Sequence, residues 1–428
     1  MTSITGNDIK LHKYESFLYF LLWTGAVLYS IYNFINYDDL YGDFAPGWIW
    51  IGRKQDISDQ EWRIWIPLII KLIPWLFLHH FVSQIVKITS NFVLLCCWYI
   101  FISMLFLYFY IGILGMLCAL MQPKHYILTL IMCWIQLRSI SYCIDNIKSH
   151  LENNCNNMLF FVQNFLYKLA YCLYLPTLSL GPLILYHEFI NSVIETSQFL
   201  KFANFRNFIF NLIRYTFWIF FANFFLHFLY FNAIQYHPEI IKSLNPWALY
   251  GLGYCMGQFF LIKYVVVYGL NHTLCAIDNV RAPPQPKCVA RIHLYSDMWK
   301  YFDQGLYKFL IRYIYVPLLR LNFSKLIASF LCFTFIFIWH GMQTNIFIWA
   351  FLNFIGLNIE SEKNKYYSNV QKKYLSQVNF RRFNCILTSP LLAMSKKLEI
   401  FTSIEYYMIH GTVNSFYCSF FIAVVKSL

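Results

Sequence analysis

The sequence predicts an all-α, polytopic membrane protein, and three observations support that fold class. Hydrophobic residues make up 59% of the 428 residues and charged residues only 12%, whereas soluble domains carry about 25% charged residues. Uncharged runs recur, the longest from Ile88 to Pro123, and about 20 apolar residues suffice for one helix to cross a bilayer. The net charge of +13 is spread through the loops. It suits anionic lipid headgroups and polyanionic cosubstrates, and no separate basic domain remains for nucleic acid.

Apolar segments follow one another along the whole chain, so we expect one membrane domain that covers residues 1–428. The segments fall near residues 14–36, 63–87, 92–121, 125–144, 158–186, 206–232, 246–270, 306–319, 325–341, 344–358, 381–394 and 404–425. The first is interpreted as a retained helix, because no small-residue cleavage site follows it. Lys71, Pro74 and Lys263 interrupt apolar segments, as expected where helices break around a cavity or face one another. The basic loop from Ser361 to Lys397 is expected on the cytoplasmic side.

The cysteines and most of the histidines carry no metal-binding motif. The 13 cysteines are scattered, and no two are spaced as C-x-x-C. They therefore predict neither a disulfide framework nor a zinc site. His79, His80 and His227 fall in apolar helices without a motif, and we interpret them as packing or interfacial residues.

One histidine stands in an unusually apolar run. Between Lys325 and Glu360 the chain has 34 residues without an Asp, Glu, Lys or Arg, and His340 lies among them. Ionisable groups at membrane depth are candidates for function because they are costly to bury. A neutral imidazole is also a natural general base near neutral pH. The alternative is that His340 only hydrogen-bonds a backbone carbonyl where two helices cross.

The most polar stretch of the chain lies at residues 281–303, just before an amphipathic helix. Three prolines among residues 283–286 exclude a helix there and favour extended backbone at a membrane boundary. The helix that follows carries Lys308 and Arg312 on one face at i,i+4 spacing. We expect an interfacial or re-entrant helix whose cations meet phosphate groups. The alternative is that these cations only extend from a helix end toward water.

Residue counting predicts that a carboxylate and the imidazole come to the same depth. A helix of about 16 residues begins at Asp303, a polar turn near residues 320–324 reverses the chain, and a second helix of similar length ends at His340. At 1.5 Å per residue, each leg is roughly 25 Å long, so His340 returns to the level of Asp303. Such a pair in an apolar body is an acid–base constellation.

The same segments resemble the Hedgehog acyltransferase family, a branch of the membrane-bound O-acyltransferase (MBOAT) superfamily. The resemblance is strongest over about residues 283–360, which we take as the catalytic cassette. It rests on Pro-Pro-Gln-Pro-Lys-Cys at 283–288, Tyr295 to Leu306, Ile311 to Pro317, and Trp339-His340-Gly341. It implies an MBOAT-type bundle of about ten to twelve membrane segments, with re-entrant helices around a central cavity.

The resemblance also implies a function. Family members move a palmitoyl group from palmitoyl-CoA to the N-terminal cysteine amine of secreted signalling proteins such as Hedgehog, in the endoplasmic reticulum membrane. The positions of His340 and Asp303 are those of the catalytic pair, and the position of Cys288 is that of a thiolate ligand to the iron of haem b. We further expect Trp299, Lys300, Lys308 and Arg312 to contact the substrates.

Two other functions are compatible with the same residues. One is an MBOAT enzyme that acylates a lipid or sterol hydroxyl, for which His340 would serve equally well. The other is a non-catalytic relative that acts as a regulator. The presence of both His340 and Asp303 argues against the regulator, since such relatives typically lose the histidine.

Overall fold

The protein is described here by a computed structural model of residues 13–33, 35, 42–89, 91–112, 124–152, 158–195, 202–288 and 295–370. Helices dominate this part of the chain, and two short strands, β1 (Phe44–Ala45) and β2 (Gln55–Asp56), form an antiparallel hairpin. The helices are α1 (Lys13–Tyr32), α2 (Gln60–Ile88), α3 (Phe92–Ile111), α4 (Lys124–Glu152), α5 (Met158–Cys172), α6 (Tyr186–Ile194), α7 (Phe202–Phe225), α8 (Phe231–Ile234), α9 (Pro238–Ser243), α10 (Pro246–Ile277), α11 (Tyr295–Phe302), α12 (Gln304–Leu310), α13 (Val316–Arg320), α14 (Lys325–Trp339) and α15 (Thr344–Val370).

The predicted all-α membrane class is confirmed. Within the described ranges, five helices are long and apolar enough to cross a membrane: Gln60–Ile88, Phe92–Tyr110, Tyr126–Ile147, Phe205–Phe225 and Pro246–Ile277. Three shorter apolar helices cover Phe20–Tyr32, Lys325–Trp339 and Ile346–Ser361. The predicted segments at 381–394 and 404–425 lie outside the described residues, so the total of about ten to twelve segments stays a prediction.

The apolar segment predicted at residues 158–186 is not one helix. Helix α5 ends at Cys172, and the chain then runs through a short 3₁₀ turn at Leu175–Thr177 to the start of α6. Prolines at 176 and 182 prevent a continuous helix there. Irregular backbone at membrane depth must be paired inside the protein. The buried Arg138 guanidinium does this, because it donates to the carbonyls of Cys172 and Thr177.

Helix α10 packs against α1 and α7. Its close contact with α1 depends on a glycine, which has no side chain. A Cβ on Gly251 would overlap the backbone carbonyl of Ser30. At the other end of α10, its C-terminal residue Ile277 is followed by Asp278, which is fully buried.

The carboxylate of Asp278 joins α10 to α2 and to the segment after α5. It lies 2.9 Å from Nε2 of His79, accepts a hydrogen bond of 2.8 Å from the Tyr174 hydroxyl, and its backbone carbonyl accepts one from Lys87 Nζ. Ligand atoms of His79, His80 and Asp278 lie within 4.8 Å of one another, which is a spacing that a metal ion can use. The Lys87 ammonium, 3.8 Å from Oδ1 of Asp278, already balances the carboxylate charge. We therefore interpret this cluster as a set of polar contacts that holds α2 and α10 together.

Helices α12 to α14 form the antiparallel hairpin that residue counting predicted. One π-helical turn, Ile311–Tyr315, joins α12 to α13, so the helical path continues past Pro317. A proline lacks the N–H that an α-helix needs, and a π-type turn is a common way to absorb such a local mismatch. Ser324 begins the returning helix, because its side chain accepts a hydrogen bond from the backbone N–H of Ile327. The hairpin therefore stays together, and His340 follows α14 directly.

Candidate active site

A cavity of about 610 Å³ lies among α2, α4, α10, α12 and α14. His340, Asp303 and Trp299 all line it, so the structure brings these three predicted site residues together. Most of the remaining wall is aromatic or aliphatic: Trp65, Tyr126, Leu130, Trp134, Leu180, Tyr236, Phe260, Tyr264, Tyr268, Met298, Phe302, Leu306, Tyr307, Leu310, Trp339 and Trp349. Pockets of 300–1,000 Å³ with apolar walls and a few polar groups are typical of small-molecule sites.

Asp303 is held at the start of α12 through both of its carboxylate oxygens. Oδ1 accepts a hydrogen bond of 2.9 Å from the backbone N–H of Leu306, which makes Asp303 the N-cap of the helix. Oδ2 accepts a second bond, also 2.9 Å, from the buried Tyr268 hydroxyl. The start of α12 also packs closely against the Leu183 backbone, since a Cβ on Gly305 would overlap the Leu183 carbonyl. The carboxylate is therefore preorganised on rigid elements.

Burial raises the pKa of the Asp303 carboxyl, and the hydrogen bonds from Leu306 and Tyr268 act in the opposite direction. Asp303 lies between α11 and α12, outside the five long spans. A cation that entered the cavity would stabilise the charged carboxylate further. The site is thus suited to receive a positively charged group.

His340 caps the C-terminal end of α14, and the glycine after it explains why the helix stops there. The backbone N–H of His340 donates to the Ile336 carbonyl at 3.0 Å. Gly341 has φ +99°, a conformation that glycine adopts readily and that commonly ends helices. The His340 ring lies 4.6 Å from the Trp339 ring and 6.4 Å from the Trp349 ring, measured between centroids. Two indoles therefore flank the imidazole.

Trp299 builds the wall between the two helix ends. Its ring packs edge-on against Phe333 of α14 at 5.0 Å and lies 5.3 Å from Trp349 of α15. Such aromatic pairs bury large areas and favour tilted geometry. Trp299 is therefore a wall residue of the cavity, next to both α14 and α15.

Sequence reasoning missed a cluster of charged residues elsewhere in the same cavity wall. Asp59 and Glu61 both line the cavity, and both bind the buried Lys263 ammonium, at 2.7 and 2.9 Å respectively. The Tyr126 hydroxyl donates to the other carboxylate oxygen of Glu61 at 3.2 Å. The available signal was Lys263 itself, because a lysine inside an apolar helix requires an acidic partner. Nothing in the sequence indicated that this partner lies about 200 residues away.

The predicted cations are close to cavity residues along the chain but are not part of the cavity lining. Lys300, Lys308 and Arg312 are not among the residues that line the described cavity. Lys308 binds Glu188 at 2.6 Å and Arg312 binds Asp145 at 3.0 Å. The side chains of Lys308 and Arg312 remain 45% and 39% exposed. They are therefore accessible, although each is already engaged with a carboxylate.

Cys288 lies at the end of the proline-rich stretch, away from the cavity lining. Its thiol is exposed and makes no disulfide. The neighbouring backbone is fixed, since Lys287 N–H donates to the Tyr301 carbonyl at 3.2 Å and its ammonium lies 3.6 Å from the Tyr301 ring centroid. A thiolate is one of the donors that can hold a haem iron, and this thiol is accessible.

The fold and the site together define a class of protein: a membrane enzyme that encloses an imidazole and a carboxylate in a largely apolar cavity. Residues 119–396 match the family model of the membrane-bound O-acyltransferases, and the chain belongs to that family. The matched region contains the cassette at residues 283–360. The resemblance seen in the sequence is thereby confirmed at the level of the family.

Three curated relatives are similar to this chain. Protein-cysteine N-palmitoyltransferase Rasp of Drosophila melanogaster is 29% identical over 89% of this chain and 86% of its own length. Protein-cysteine N-palmitoyltransferase HHAT of Mus musculus is 25% identical over 72% of each chain. The HHAT-like protein of the same species is 28% identical over 32% of this chain and 27% of its own length.

We predict that Tyr268→Phe lowers acyl transfer by about tenfold or more without unfolding the protein. A hydrogen bond to a charged group contributes about 1.5–3 kcal/mol, and 1.4 kcal/mol corresponds to about tenfold in rate. The measurement is the initial rate of transfer from acyl-CoA by purified enzyme, together with the melting temperature. Tyr307→Phe, which removes another cavity-lining hydroxyl, is the control. Equal rates in both variants would show that Tyr268 does not position Asp303.

Proposed function

We propose that this protein is an N-palmitoyltransferase that moves a palmitoyl group from palmitoyl-CoA to the N-terminal cysteine amine of a secreted signalling protein. The observation that carries the proposal is the enclosure of His340 and Asp303 in one aromatic cavity. The names of the relatives in Drosophila and mouse, both protein-cysteine N-palmitoyltransferases, support the acceptor and the acyl group.

In the proposed reaction, the bound ammonium of the acceptor first releases one proton to water, and the neutral amine nitrogen then attacks the thioester carbonyl carbon. An amide bond forms, the C–S bond breaks, and CoA leaves as a thiolate. His340 takes the proton that the amine loses and can return it to the leaving thiolate. A thioester is already an activated acyl donor, so the enzyme mainly removes this proton and holds two partners in reacting geometry.

The charges of the cavity favour an amine acceptor over a lipid hydroxyl. Asp303, Asp59 and Glu61 line the cavity, and no lysine or arginine does so among the described residues. Lys263 pairs with Asp59 and Glu61, so Asp303 is the carboxylate without a nearby ammonium partner in this wall. A cationic terminus leaves water only where a carboxylate receives it. A neutral sterol or lysolipid hydroxyl carries no positive charge that the carboxylate could stabilise.

The two ends of palmitoyl-CoA require different surroundings. The acyl chain suits the aromatic wall built by Trp134, Trp299 and Trp349, since each buried CH₂ contributes about 0.8 kcal/mol. The CoA phosphates require cations, and we assign them to the exposed parts of Lys300, Lys308 and Arg312. Binding there would place phosphate in competition with the carboxylates of the existing ion pairs.

The proposal extends to location and to a haem group. We place the enzyme in the endoplasmic reticulum membrane, where a Hedgehog-like partner with a free N-terminal cysteine would pass during secretion. Cys288 would hold a haem b iron through its thiolate. The haem would have a structural role, and no step of the proposed transfer passes through it.

His340→Ala is expected to lower transfer by about 10²–10⁴-fold, the usual contribution of a general base, while the protein stays folded. The assay uses purified enzyme, labelled palmitoyl-CoA and a peptide with a free N-terminal cysteine, with expression levels matched. His237→Ala, at a histidine outside the cavity, is the control and should transfer at nearly the normal rate. A near-normal rate for the His340 variant would exclude the general-base role.

Asp303→Asn is expected to impair transfer to peptide more than hydrolysis of palmitoyl-CoA. Asparagine can still cap α12, so the fold is kept and only the charge is lost. An α-amino group titrates around pH 8 and is largely cationic near neutrality, so it depends on the carboxylate, whereas water does not. The measurement is the ratio of the two rates in wild type and variant, with an N-acetylated peptide as the blocked control. Equal losses in both reactions would mean that Asp303 serves the thioester or the fold.

Cys288→Ala is expected to abolish the Soret absorbance of purified protein produced with adequate haem, while helical content by circular dichroism is unchanged. Cys143→Ser, at another exposed thiol, is the control and should retain the absorbance. Wild-type protein without a Soret band under these conditions would refute haem binding and would leave the transferase proposal untouched.

A further inference from the structure

The β1–β2 hairpin presents an apolar tip that the catalytic proposal does not use. The tip comprises residues Gly47–Gly52, between the two strands. Ile49 is 99% exposed and Trp50 is 67% exposed. We propose that this tip is a membrane anchor, which binds phospholipid at the boundary between headgroups and acyl chains.

The tip packs against an exposed apolar face of α7. The Trp48 ring stacks on Phe220 with 4.9 Å between centroids, and the Trp50 ring stacks on Phe224 at 6.2 Å. The two indoles also stack on each other at 5.4 Å. Phe220 remains 52% exposed on a helix that qualifies as a membrane span. The apolar surface of the span therefore continues onto the hairpin, and the lipid that covers one covers the other.

The position of the contact along α7 gives the depth of the tip. The span ends at Phe225, and at 1.5 Å per residue Phe220 lies about 7.5 Å inside that end. Trp48 is stacked on Phe220, so it sits at the same level. Tryptophan is enriched at this level of membrane proteins, where its ring is in apolar surroundings and its N–H near water.

The hairpin is held in this position by buried polar contacts. The backbone N–H of Trp48 donates to Nε2 of the buried His227 at 3.0 Å, while Nδ1 of that imidazole pairs with the Asn223 carbonyl at 2.7 Å. Gly47 makes the close approach possible, because it has φ +76° and a Cβ there would overlap the Arg53 carbonyl. The tip is therefore fixed against α7 at the depth of the span.

Charge is arranged as an interfacial anchor requires. Arg53 lies 5.6 and 5.8 Å above the rings of Phe228 and Tyr230, at the base of the hairpin. The adjacent Lys54 is exposed. Apolar residues thus occupy the tip and cations follow at its base, where lipid phosphates would lie.

The hairpin connects directly to the cavity wall, so an anchor at its tip would also restrain the wall. The Asp56 carboxylate at the end of β2 accepts hydrogen bonds of 3.0 Å from the backbone N–H groups of Ser58, Asn232 and Ala233. Asp59, three residues later, lines the cavity. A tip fixed in lipid would therefore hold this part of the cavity wall at a constant distance from the membrane surface.

The test is photo-crosslinking of the full chain in phosphatidylcholine liposomes that contain radiolabelled lipid. Benzoylphenylalanine replaces one residue at a time: Ile49 in the tip, Phe210 on the span as the lipid-facing control, and Glu239 as the solvent-facing control. Phe210 is 71% exposed on α7, and the Glu239 side chain is 72% exposed outside the spans. If the Ile49 variant is not monodisperse, Trp50 takes its place as the labelled position.

We expect lipid adducts at the tip with at least half the yield found at Phe210, and a yield at Glu239 several-fold lower. A tip yield equal to that at Glu239 would overturn the anchor. Adducts to a second protein molecule in place of lipid would also overturn it. The crosslinking yield does not depend on acyl transfer, so a negative result would leave the proposed enzyme activity unaffected.

Discussion

A polar group inside a membrane domain must be paired by the same chain, because lipid offers no hydrogen bonds, and this constraint organises the whole structure. Lys263 in α10 is buried, and it is compensated by Asp59 and Glu61 at the start of α2. At the far end of α10, Asp278 is compensated by Lys87 near the end of α2. The two helices are therefore joined by charge near both ends of α2, which meet the middle and the C-terminal end of α10. Removing one member of such a pair lowers the stability of the folded protein by several kcal/mol, since the other charge stays buried without a partner.

The candidate site applies the same constraint to catalysis. The Asp303 carboxylate obtains one partner from its own helix, Leu306, and one from α10, Tyr268. His340 lies where a glycine ends the opposing helix, with tryptophan rings around it. Both groups thus stand at helix ends, Asp303 as the N-cap of α12 and His340 as the C-cap of α14. The rigidity of these two helix ends is what an acyl transfer between two bound partners requires.

Sequence reasoning placed Asp303 and His340 together because helical geometry has a fixed rise, so two legs of equal length return to one level. For Lys308 and Arg312 it gave only part of the local structure. It recognised their amphipathic face but not their partners Glu188 and Asp145, which come from other helices. It also treated residues 158–186 as one apolar segment, although Arg138 stabilises an irregular stretch there through the Cys172 and Thr177 carbonyls.

The sequence by itself determined the membrane class, the family resemblance and the helical hairpin that carries the acid–base pair. These follow from local properties: hydropathy, a motif and the distance between two residues along one hairpin. Only the tertiary structure decided that Asp59 and Glu61 share the cavity with His340, and that Tyr268 fixes the Asp303 carboxylate. The physical reason is that these contacts join residues from distant parts of the chain. Their distances depend on how the helices pack, and no local pattern encodes that packing.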